Sequence, residues 1–149
     1  MSDALFAAGV LATAAVFALL EIQIEGSAGW ATGLPTWRWE NRWTRLLVGA
    51  RAVTGYHLYV HLFVLLMAHA AFLTGIAEFT WRGEARVIAF LIFFWLAEDY
   101  LWFVFNPAFG ARRFRREHVW WHAPTWWWIM PRDYWIFLPL GALLYLWSR

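Results

Sequence analysis

The chain contains no cysteine and no lysine. The first absence removes disulfides, iron–sulfur clusters, thiolate zinc sites and cysteine nucleophiles together. Any metal would have to be held by histidine, carboxylate or amide groups. Charge is scarce as well: 15% of the 149 residues are charged, against about 25% in an ordinary soluble domain. A net charge of +2, with no basic run interleaved with a solvent-facing fold, excludes nucleic acid as a partner. What fills the chain instead is apolar: 62% of it, including 14 Trp and 13 Phe. That composition cannot tile an aqueous surface, and it is too apolar to remain disordered. The length is that of one domain. The expected fold class is therefore all-α, an integral membrane helical bundle formed by residues 1–149 as a single unit.

Hydrophobic runs place spans at approximately residues 4–24, 52–74, 87–106 and 133–148, each close to the ~20 residues that cross a bilayer core. The first run competes with a signal peptide, but Met1-Ser2-Asp3 offers no basic start and the run exceeds the usual apolar core of such a peptide. The last run is short, so about four transmembrane helices are expected, with three as the alternative if Tyr134 to Trp147 is re-entrant. Interfacial composition marks approximately residues 35–46 and 111–131. In the first of these, Thr36 is a candidate N-cap. Helical spacing gathers Arg38, Arg42 and Arg45 on one face and Trp39, Trp43 and Leu46 on another, as in an amphipathic helix lying at headgroup depth. A tight aromatic loop is the competing form. The Arg-rich connections after the first and third spans share one side, which the positive-inside rule makes cytoplasmic. Both termini then lie opposite.

This orientation brings ionisable groups from four segments to one depth. Glu21 and Glu25 end the first span, and His57 and His61 begin the second. Glu98, Asp99 and Asn106 close the third, and His118 and His122 follow it. Ionisable groups inside a bilayer are costly and mark function by default. Glu21/Glu25, His57/His61 and His118/His122 are i, i+4 pairs, which on a helix differ by about 40° in rotation and about 6 Å in rise, so both members reach one ion. The expected metal ligands are His57, His61, His118, His122, Glu21 and Glu25, a mixed N/O set suited to Zn, Fe or Mn in a mono- or dinuclear site. Glu98 and Asp99 are the candidate catalytic carboxylates, and Trp102, Asn106 and Trp121 the candidate cofactor- or pocket-lining residues. Bland readings stand beside each. Glu21 and Glu25 could brace Arg38 or Arg42, Glu98 and Asp99 point about 100° apart so that one is a brace, and His69 fits a hydrogen bond to a neighbouring helix.

The repeated HxxxH elements are similar to those of membrane desaturases and hydroxylases that use two irons. Those proteins carry more histidines, including adjacent pairs, whereas this chain has five His and no such pair. The ExxH arrangement of ferritin-like proteins is absent too, so only the ligand chemistry carries over. The expected function is a membrane metalloenzyme, a hydrolase or oxidoreductase, acting on a lipid or other hydrophobic small molecule at the cytoplasmic face. Two alternatives remain open: a b-type cytochrome with haem between two His, and a non-catalytic accessory subunit. Membrane lipids, a hydrophobic substrate and a homo-oligomer or larger membrane complex are the partners compatible with this composition.

Overall fold

The computed structural model describes residues 2–48 and 51–149, without the side chains of residues 46 and 47. The first helix, α1 (Asp3–Glu25), starts at Ser2, whose side chain accepts from the Leu5 N–H, and stops at Gly26 in a left-handed conformation. Its buried residues are Phe6, Val10, Ala14, Ala18 and Glu21. The near-regular spacing of four makes one stripe along the helix, and the fully buried Ala14 and Ala18 let a neighbour approach closely. That neighbour is α5 (Trp81–Phe105), capped by Thr80 at its start. Asn106 closes its other end: the backbone N–H donates to the Trp102 carbonyl, and the side chain ties to Gly26 O and the Ala108 N–H. A third helix, α6 (Arg132–Trp147), packs on the other side of α5. There Gly141 meets Ile92 and Phe93 so closely that a Cβ would lie 2.9 Å from Ile92 Cγ2.

Between α1 and α5 the chain forms α2 (Arg42–Val48), α3 (Gly55–Ala68) and the short α4 (Ala70–Leu73). Helix α3 is capped by Thr54 and has only Gly55 buried. Two small antiparallel ribbons complete the fold, β1 (Arg38–Trp39) with β2 (Val53–Thr54) and β3 (Trp126–Trp127) with β4 (Met130–Pro131).

Side-chain contacts fix the directions. Phe6 meets Phe90, and Phe17 meets Phe94 further along both helices, so α1 and α5 run parallel. The end of α3 reaches the start of α5 through His69 and Glu84, while Arg82 and Arg86 at that start bond Arg149 and Ser148. Asp3 lies 3.2 Å from the Arg149 guanidinium. Helices α3 and α6 therefore run against α1 and α5, and the two chain ends meet. Helices α1 and α5 are long and apolar enough to cross a membrane. The other two are shorter, at 14 and 16 residues.

Two local expectations are corrected. Residues 36–46 do not form one helix from Thr36. Arg38 and Trp39 pair instead with Thr54 and Val53. Thr36 Oγ1 accepts the Tyr56 N–H, and Asn41 takes the capping role by accepting from the N–H groups of Trp43 and Thr44. A tertiary strand pairing outcompetes the local periodicity. The run 52–74 is likewise not one helix, because it begins as β2 and breaks at His69, whose ring bonds Leu65 O and Glu84.

Candidate functional site

A cavity of about 450 Å³ opens where the C-terminal end of α1 and one face of α5 meet the starts of α3 and α6. Its size is that of a small-molecule site, which typically measures about 300–1,000 Å³. Glu21, Glu25, His57, His61, Glu98, Asp99, Trp102, Trp121 and His122 of the expected set all line it. Asn106 does not, because its side chain is spent closing α5 against Gly26. His118 is exposed, and among the described residues its only hydrogen bond is from its backbone N–H to Arg115 O. His69 is also remote, bonded to Glu84 at 3.1 Å as the bland reading expected.

One wall is a connected chain of polar groups. Asp99 Oδ2 accepts from the Tyr134 hydroxyl at 2.6 Å, and Asp99 Oδ1 lies 3.0 Å from His122 Nε2. An ionised carboxylate only accepts, so against it Nε2 carries a proton, and in a neutral ring Nδ1 would then be the lone-pair nitrogen. That tautomer follows from the partner it bonds. His122 Nδ1 is buried without any partner. The wall continues to Arg51, which donates to Val48 O at 2.7 Å, faces Asp133 at 3.8 Å and lies 4.3 Å over the Trp30 ring. Burial pulls the Arg51 guanidinium's proton affinity down, and the Asp99 and Asp133 carboxylates work against that shift.

The opposite wall is acidic and less completely paired. Glu21 accepts from the Tyr56 hydroxyl at 3.1 Å. Glu25 accepts the Ala31 N–H and stands 3.6 Å from His57 Nε2. The loop that presents Ala31 is unusual: Gly29, Trp30 and Ala31 are consecutively left-handed, a conformation that costs non-glycine residues energy. At Gly29 a Cβ would sit 2.6 Å from Trp121, so the close approach also requires glycine. This loop stacks Trp30 on His57, with ring centres 4.1 Å apart. One turn on, His61 stacks on Trp95 at 4.1 Å and bonds its Nδ1 to His57 O. A carbonyl only accepts, so His61 Nε2 is left as the free acceptor.

Glu98 stands apart from both walls. It is 5% exposed, and its Oε1 has no hydrogen-bond partner, nor does the neighbouring Trp102 Nε1. Buried polar atoms are nearly always paired, and exceptions call for an explanation. Here three exceptions, on Glu98, Trp102 and His122, belong to residues lining one cavity. Helical rotation separates Glu98 from Asp99, as their spacing requires: Asp99 bonds 122 and 134, while Glu98 does not join that chain.

Among the described residues, no three His, Asp or Glu side chains stand close enough together to form a ready metal site. No Arg pairs with Glu21 or Glu25 either. Arg38 donates to the carbonyls of Ala31 and Thr32 instead. The sequence reading missed Arg51, Tyr56, Tyr134 and Trp30. In the sequence Arg51 reads as one more cation of an Arg-rich connection, and the two tyrosines lie at the starts of apolar runs, where they resemble interfacial anchors. Comparison with known protein families, curated proteins and solved structures finds no match to this chain.

Proposed function

We propose that this chain is a four-span membrane enzyme that binds a hydrophobic small molecule in the cavity and moves a proton on it through Asp99 and His122. The observation that carries the reading is the set of unpaired buried atoms on a cavity lined by ionisable groups from every long helix. Asp99 holds the His122 tautomer and Tyr134 holds Asp99, which is the logic of an oriented general base. Asp99, whose side chain is the more open of the two, would meet the proton of a bound hydroxyl, amine or water. Glu98 is the second carboxylate available for acid–base work. The Trp95, Trp102 and Trp121 rings keep the surroundings apolar. Antiparallel succession of α1, α3, α5 and α6 with the chain ends together supports an even number of crossings, with the Arg-rich connections cytoplasmic.

The test is to compare lipid extracts and co-purified small molecules from cells producing the wild type and Asp99→Asn. Asparagine keeps an acceptor for Tyr134 but offers His122 an N–H, which forces the opposite tautomer. A specific hydrophobic molecule should accumulate on, or with, the variant. Identical extracts and no bound molecule in either protein would overturn the proposal.

A metal-dependent form of the same reading is favoured by one contact, the 3.6 Å approach of His57 Nε2 to Glu25 Oε1. Glu21 lies one turn away on the same helix, so Zn, Fe or Mn could draw these groups together. Stoichiometric metal in protein purified without chelator, lost in His57→Ala and retained in His69→Ala, is the expected result of this form. A Soret band in the same preparation would replace it with the haem alternative.

A further inference from the structure

Glu98 is a buried carboxyl with no salt-bridge partner among the described residues. Its acidic neighbours are engaged: Glu21 by Tyr56, Glu25 by Ala31 and His57, Asp99 by Tyr134 and His122. Arg51, the cation among the lining residues, is committed to Val48 O, Asp133 and the Trp30 face. The lining therefore carries Glu21, Glu25, Glu98, Asp99 and Asp133 against Arg51. An anionic ligand would find one guanidinium among these residues, and that one is already engaged. The carboxyl of Glu98, whose Oε1 has no partner, calls for a ligand that brings N–H donors.

The shape of the cavity adds a second constraint. Ile88, Leu91, Ile92 and Trp95 recur at helical spacing on one face of α5 and line the cavity together with Phe137. The same face continues into Glu98, Asp99 and Trp102. At ~1.5 Å rise per residue, Ile88 to Trp102 extends roughly 21 Å. The cavity, about 450 Å³ in volume, is a partly open bore along that face with room for one hydrocarbon chain. One end of it is apolar and the other acidic.

We infer that the cavity takes a single-chain amphiphilic amine, with its ammonium group on the Glu98 carboxylate and its chain along the Ile88–Ile92 face. This rests on the reading that the cavity holds a hydrophobic small molecule, and it names that molecule's class. The amine supplies both the missing counter-charge and the missing donors. The tail replaces lipid or water against residues that already lack polar partners.

The experiment uses the full-length protein in phosphatidylcholine nanodiscs, with ligand-dependent thermal stabilisation measured for dodecylamine, dodecanol and dodecanoate. Dodecylamine should stabilise saturably, and dodecanoate should not. Glu98→Gln should weaken the amine's apparent affinity about ten- to a hundredfold, the usual range for losing a charge-assisted hydrogen bond. Leu91→Trp gives a test independent of Glu98: it should bar dodecylamine while leaving butylamine bound, because it fills the bore and spares the acidic end. Dodecanoate or dodecanol binding as well as the amine would overturn the assignment while leaving a small-molecule cavity standing. Unaltered amine affinity in Glu98→Gln, or dodecylamine binding unaffected in Leu91→Trp, would overturn it too. Failure of all three compounds to bind saturably would sink the underlying reading along with it.

Discussion

The two HxxxH elements have the same spacing and opposite fates. His57 and His61 sit on α3, so the four-residue interval places both rings on the cavity side, each stacked on an indole. His118 and His122 sit in a run of turns, where the chain makes mixed three- and four-residue hydrogen bonds and then a short 3-10 helix. There the same interval sends His122 into the core and leaves His118 exposed. A ligand spacing is thus a statement about a helix, and it loses its meaning where no helix forms. Pro124 and the run of Trp around the second pair are the local reason: proline interrupts a helix, and the indoles are drawn to separate packing sites. Trp121 enters the aromatic cluster with Trp102 and Phe103, whereas Trp120 is 52% exposed.

The comparison predicts a graded series for one chemical change, His→Ala, measured by unfolding in detergent. The largest effect belongs to His122. Its removal takes one hydrogen bond from the half-buried Asp99 and leaves a void where a nearly buried ring packed, about 3 kcal/mol together. Tyr134→Phe sharpens the result. It deletes only the other donor to Asp99 and keeps the ring, so its loss should fall nearer the ~1 kcal/mol of one hydrogen bond to a half-buried acceptor. A Tyr134→Phe effect as large as that of His122→Ala would mean that the connected wall is held by Tyr134 and not by the ring.

His57→Ala comes next. It removes the bond between Nδ1 and Thr54 Oγ1, which is 2.7 Å long, together with the stack on Trp30. One hydrogen bond and one aromatic contact sum to about 2 kcal/mol. His61→Ala loses the Trp95 stack and a bond within its own helix, so about 1 kcal/mol is expected. Equal losses at 57 and 61 would show that the Thr54 contact, which also caps α3 by accepting the His57 N–H, contributes nothing beyond the stack.

The series also shows where the sequence was legible. Long apolar runs bounded by Ser2 and Gly26, or by Thr80 and Asn106, identify α1 and α5 directly, because caps and hydrophobic length act locally. The convergence of Glu21, Glu25, His57, His61, Glu98, Asp99 and His122 on one cavity was readable too, since depth along a span follows from position in the run. The bond from Asp99 to Tyr134 was not, because it joins residues 35 apart and depends on how α6 rotates against α5. The ribbon between Arg38–Trp39 and Val53–Thr54 was hidden for the same reason. Long-range pairing overrides a periodicity that looks helical within its own window.

His118→Ala closes the series with the smallest effect. The ring is exposed, and among the described residues the only hydrogen bond of this residue belongs to its backbone. Surface substitutions of this kind stay within about 0.5 kcal/mol, and binding of any ligand in the cavity should be unchanged. The result carries weight because the sequence alone treats 118 and 122 as equivalent. A continuous helix through 118–122 would put both rings on one face, and both variants would then lose stability and ligand together. A shift in ligand affinity at His118→Ala comparable to that at His122→Ala would therefore restore the paired-ligand reading and remove the distinction between the two HxxxH elements. The backbone bonds of Val119 with Arg115, His122 and Ala123 make the turn a fixed one, so the expected outcome is a silent substitution four residues from the most damaging one.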